Sequence, residues 1–125
     1  MPGADRGRVT VGVTEAGASA LVRIMETGFF GTEMDAYKVA VALALRAGVR
    51  ADESVTGVTT KWNIGSLDPD GLLADLVDVL DRGGTGDPID RAQRLADIGL
   101  SMLVTRLVDS GQTLSEALDI GEHQL

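Results

Sequence analysis

The clearest pattern along the chain lies at its start, where Val9, Val11 and Val13 alternate with Arg8, Thr10 and Gly12. Period-two alternation of β-branched residues predicts a short, half-buried strand over 8–13. No other segment alternates as well; Val55–Thr60 comes nearest, and Gly57 weakens it. A single strand needs a partner, so this one hints at pairing with a second chain. Thr14 can cap the helix that follows, in which Leu21, Ile24, Met25 and Gly28 fall at helical spacing. Gly28–Gly31 breaks that helix. Thr32, with Asp35 in the third helical position, opens the next, which runs to about Ala47 before Gly48. This second helix is apolar nearly all round, which requires burial on several sides, either as the central helix or at a subunit interface.

The stretch from Gly48 to Ser66 is mixed and turn-rich and reads as a connector holding the single tryptophan, Trp62. Asp68 and Pro69 then start a helix whose Leu72, Leu73, Leu76, Val77 and Leu80 form an apolar stripe, with Asp75, Asp78 and Asp81 on the opposite, solvent face. After the Gly83–Gly86 break, Asp87 and Pro88 open a longer helix that ends near Gly111. Thr113 and Glu116 form a capping box for a last short helix. The expected fold is therefore mainly α: a strand and two helices, then a C-terminal extension of about three helices. Three regions follow: 1–50, a connector over 51–67, and an acidic helical region over 68–125.

Composition narrows the function. Aromatics are only 3% of 125 residues, so the core must be built from Ala, Val, Leu and Ile, which suits helix packing. There is no cysteine, which excludes a disulfide scaffold or a thiolate site. The longest aliphatic run, Val39–Leu45, is far too short to span a bilayer, and MPGADRGR has no apolar signal core. The expectation is a cytoplasmic protein with no membrane partner. The net charge of −8 is uneven: residues 1–50 carry six Lys/Arg against five Asp/Glu, residues 51–125 five against fourteen. The halves are thus expected to meet different partners.

Candidate chemistry is sparse. Asp68-Pro69-Asp70-Gly71 looks like a calcium loop but has Val79 where the loop needs its twelfth-position glutamate. Gly83–Gly86 lacks a phosphate-loop lysine and is followed by Asp87 and Asp90. His123 has no second histidine or cysteine with which to hold zinc. No nucleophile has a recognisable base. The chain is therefore expected to be no enzyme and to carry no cofactor or metal. Tyr37 is expected in the core, and Trp62 folded back onto it.

The order strand, helix, turn, apolar helix over residues 6–48 resembles the ribbon–helix–helix family of DNA-binding proteins. That resemblance implies an obligate homodimer in which two strands form an antiparallel ribbon that lies in the DNA major groove. It implies Val9, Val11 and Val13 in the dimer core and Arg8, Thr10 and Gly12 toward the groove, with arginine reading guanine and threonine a base edge. Gly31 and Thr32 would offer a helix N-terminus to a phosphate. On this reading the chain is a regulator or an accessory factor in DNA modification or defence, with an acidic half that recruits a basic protein. The alternative is a helical adaptor or small subunit that binds no DNA and uses its acidic helices to contact a basic partner.

Overall fold

The computed structural model describes residues 10–50, 57–81 and 86–118. The fold is mainly helical, with one antiparallel pair of short strands. Strand β1 (Thr10–Val13) leads into α1 (Glu15–Met25) and α2 (Glu33–Arg46). Strand β2 (Thr59–Asn63) and the single-turn α3 (Ile64–Leu67) follow, then α4 (Leu72–Leu80). Helix α5 (Pro88–Leu103) continues into a π-helical turn over Val104–Asp109, and α6 (Leu114–Leu118) closes the described chain.

The helix starts are set locally, as their sequences predict. Thr14 Oγ1 accepts from the Gly17 N–H at 2.9 Å and Thr32 Oγ1 from the Asp35 N–H at 3.1 Å. Asp87 accepts from the Ile89 N–H at 2.8 Å, ahead of which Pro88 fills the first turn. At α6 the capping box is reciprocal: the Thr113 N–H donates to Glu116 Oε1 at 2.9 Å, and the Glu116 N–H to Thr113 Oγ1 at 3.2 Å. Each such cap satisfies a backbone donor that the first helical turn leaves open.

Two helices form the centre. Helix α2 buries Ala36, Tyr37, Ala40, Val41, Leu43, Ala44 and Leu45, and α5 buries Ile89, Leu95, Leu100 and Leu103 with several small residues between them. Small side chains let the two backbones approach. At their crossing, a Cβ on Gly99 would lie 1.9 Å from the Ala40 carbonyl oxygen, so only glycine fits there. Helix α1 packs Leu21 and Ile24 onto this pair, and its Gly17 lies against Leu100. The all-round apolar character of residues 34–47 thus reflects burial within one chain.

The strands depart from expectation. The partner of β1 is β2 of the same chain, with Thr10 opposite Asn63, Val11 opposite Trp62, Gly12 opposite Thr60 and Val13 opposite Thr59; Lys61 is the extra residue at an irregularity. Val11 and Val13 are buried in the chain's own core, not held for a dimer core. Residues 51–67, read as a connector, contain β2 and α3. Tyr37 ties the strands to α2: its hydroxyl donates to the Gly12 carbonyl at 2.9 Å. Its ring meets Trp62 edge-on, centroids 5.1 Å apart. Both aromatics lie where the sequence places them, Tyr37 in the core and Trp62 folded against it.

Candidate functional site

The residues singled out for nucleic acid fall at two places. Thr10 is half-buried at the start of β1. Gly12 is buried, and its peptide is engaged on both sides: its N–H donates to Gln93 Oε1 at 2.8 Å and its carbonyl accepts from Tyr37. A Cβ on Gly12 would come within 2.1 Å of the Thr59 carbonyl oxygen. The glycine is there so that β2 can approach, and it presents no surface to a groove. Gly31 and Thr32 are exposed ahead of α2, and the Thr32 hydroxyl is occupied as the cap. The next residue, Glu33, pairs with Lys61 of β2 at 3.0 Å. Arg8 and Val9 lie outside the described residues, as does His123.

A different surface emerges from α4, whose two ends are both fixed by buried carboxylates. Asp68 reaches forward into the first turn, Oδ1 accepting from the Leu73 N–H at 2.9 Å and Oδ2 from the Ala74 N–H at 3.1 Å. At the other end Asp81, 2% exposed, accepts from Arg91 Nη1 of α5 at 3.2 Å on its side chain and 3.3 Å on its carbonyl. Arg91 Nη2 also donates to Asp78 at 2.6 Å, and Arg50 Nε stands 3.6 Å from Asp81 Oδ1. Asp81 therefore does not belong to a solvent face with Asp75 and Asp78. Buried charges persist only where they are paired, and Arg91 pairs Asp81 through Oδ2, while Asp81 Oδ1 makes no hydrogen bond.

These anchors fix the rotation of α4 about its axis. Leu73, Ala74 and Val77 turn inward. Leu72, Leu76, Val79 and Leu80 turn outward, 66%, 36%, 61% and 45% exposed. The apolar residues of α4 thus do not make the single inward stripe that was expected. They occupy two faces, and one of them is open. At 3.6 residues per turn the outward four form a continuous strip of about two turns. The exposed Asp75 and Asp78 run along one flank. On the other flank is a groove of about 280 Å³ lined by Leu67, Leu72, Leu73 and Leu76 together with Lys38 of α2 and Asp70. The sequence did carry a signal: seven of the nine positions in LLADLVDVL are apolar, more than one face of so short a helix can bury.

A second concavity, of about 380 Å³, lies between α1 and α5, with Ala16, Ser19, Ala20 and Ser101 on its walls and Arg23 and Asp97 beside them. Its charged groups already have partners. Asp97 accepts the Thr14 hydroxyl, and Arg23 pairs with Asp109 at 3.2 Å. Among the described residues no group of three or more His, Cys, Asp or Glu side chains is placed to hold a metal ion. No described helix is long and apolar enough to cross a membrane.

Comparison with known proteins finds no family model that matches the chain, and no curated protein and no solved structure that matches it.

Proposed function

We propose that this chain is a protein–protein interaction module, a helical adaptor or small subunit that docks a partner through the outward face of α4. One observation carries the reading: Leu72, Leu76, Val79 and Leu80 form an open apolar strip beside Asp75 and Asp78 on a helix anchored at both ends. Single exposed apolar side chains are ordinary on protein surfaces, whereas contiguous ones mark interaction sites. Burying one large aliphatic side chain stabilises a complex by about 1.5–3 kcal/mol, so this strip can supply a useful part of a binding energy.

The DNA-binding alternative draws less support. A two-chain ribbon requires a β1 edge free to pair, and the Gly12 peptide is already bonded to Gln93 and Tyr37. The exposed start of α2 carries Glu33 and Asp35 in its first turn, which oppose a phosphate. A chain of net charge −8 also lacks the general cationic attraction that dominates affinity for DNA.

Two titrations test the reading. Fluorescence anisotropy of a labelled random DNA duplex at low salt is expected to show no binding by the folded protein; binding that weakens steeply with salt would return the DNA alternative to first place. Nile red, a neutral dye that brightens on apolar surfaces, is expected to respond to the wild type and much less to Leu72→Gln/Leu76→Gln. An equal response from both would remove α4 as the docking face.

A further inference from the structure

The charge pattern around α4 points to the occupant of this face, and we infer that it is a basic amphipathic helix of another protein. This inference rests on the docking reading above and adds the chemistry of the partner. The strip has the shape that receives a helix: apolar positions at i, i+4, i+7 and i+8 beside a groove floored by Leu67 and Leu73. Helix-in-groove recognition uses matching apolar positions at that spacing. Its surroundings carry one dominant sign. Asp75 and Asp78 follow one flank, and Asp70 lines the groove on the other. Lys38 lines that groove as well and Arg91 is paired with Asp78, which leaves the excess of negative charge at Asp75. A helix with leucine-like residues along one face and Lys or Arg along one margin would bury its apolar side on Leu72, Leu76 and Val79. Its cations would lie against Asp75, because Asp78 beside it already shares the Arg91 guanidinium. Exposed pairs of this kind steer association and choose partners more than they add affinity.

Two other occupants fit worse. A second copy would bring Asp75 and Asp78 of both chains toward one interface, on molecules that each carry −8. A nine-residue helix is only about 13 Å long, too little for the roughly 800 Å² per partner of a stable dimer. An anionic membrane surface would be repelled by the same carboxylates.

The test uses the full chain and two designed 18-residue helical peptides with identical leucine faces, one flanked by lysine and the other by glutamate, each fluorescently labelled. Anisotropy titrations are expected to show the lysine peptide binding about tenfold or more tightly than the glutamate peptide, with the difference shrinking as salt rises. Leu72→Gln/Leu76→Gln should weaken the lysine peptide about tenfold. Asp75→Lys, at an exposed position, should reduce its preference severalfold with the far-ultraviolet circular dichroism unchanged. Equal binding of both peptides, lost in the leucine variant, would overturn the basic partner and leave the docking reading intact. Binding of the lysine peptide that ignores the leucine substitutions would reduce the effect to general charge attraction and overturn the inference. No binding of either peptide to folded protein would overturn it too, and the Nile red comparison then decides the docking reading separately. A dimer by light scattering that dissociates in the leucine variant would assign the face to a second copy instead.

Discussion

Helices α2 and α4 have nearly the same kind of sequence and opposite fates. Both are apolar around most of their circumference. Helix α2 is enclosed, because alternate small residues let α5 close over it until Gly99 meets the Ala40 backbone. Helix α4 is shorter and is held by charge at its ends, Asp68 at the first turn and Asp81 on Arg91 at the last. It buries three residues and leaves Leu72, Leu76, Val79 and Leu80 in water. An all-round apolar helix must find cover somewhere. In α2 the chain itself supplies the cover. In α4 the anchors hold the helix at an angle at which the described residues do not cover it.

The strongest way to break the contrast is to release α4 from α5. Arg91→Leu leaves Asp81 buried without its hydrogen-bonded partner, and removing one member of a buried pair costs about 3–5 kcal/mol. We expect a loss of about 3 kcal/mol in urea unfolding, the lower end because Arg50 stands 3.6 Å from the same carboxylate. A variant as stable as the wild type would mean that Asp81 is held by something other than the Arg91 fork. Next in size is Gly99→Ala, which opens the α2–α5 crossing. The added methyl meets backbone rather than a movable side chain, so both helices must shift, at a cost of about 2 kcal/mol. An unchanged denaturation midpoint would mean the crossing is looser than the 1.9 Å approach implies.

What could be read from the sequence divides along the same line. Most features set within one turn were legible: the caps at Thr14, Thr32 and Asp87 and the Thr113–Glu116 box need only neighbours within three residues, whereas the helix expected to start at Asp68 and Pro69 begins at Leu72, with Gly71 as its cap. Features that depend on distant residues were not. Thr59–Asn63 reads TTKWN, with no apolar alternation, because this strand is exposed along most of its length and only Trp62 turns inward. Its membership of the sheet is set by β1, some fifty positions earlier. Asp81 looked like a third surface carboxylate on the helical spacing of Asp75 and Asp78 because nothing nearby marks it as buried; Arg91, ten residues on, does that. For the site, the surplus of apolar residues in α4 was visible, but which of them face outward depends on the two anchors.

A smaller effect probes the joint between the strands and α2. Tyr37→Phe keeps the ring against Trp62 and removes the hydroxyl that donates to the buried Gly12 carbonyl. Losing one partner of a buried hydrogen bond costs about 1 kcal/mol. Thermal unfolding should show that loss, and amide exchange in β1 should quicken with it. If exchange in β1 stays as slow as in the wild type, Gln93 and the pairing with β2 anchor the strand and the tyrosine hydroxyl is incidental to its placement.

The smallest expected effect sharpens the comparison most. Leu72→Gln/Leu76→Gln places polar groups at one site that is 66% exposed and one that is 36% exposed, so stability should change by less than about 1 kcal/mol. The equivalent truncation within α2, Leu43→Ala at a position 2% exposed, belongs to the class that costs about 2–5 kcal/mol. Two leucines on similar helices would then differ severalfold in what they contribute to the fold. If the α4 variant unfolds as readily as the α2 variant, Leu72 and Leu76 serve the chain's own core, and no apolar face is left for a partner. If it keeps its stability and loses only peptide and dye binding, the leucines give no benefit to folding and serve binding, as the docking reading requires.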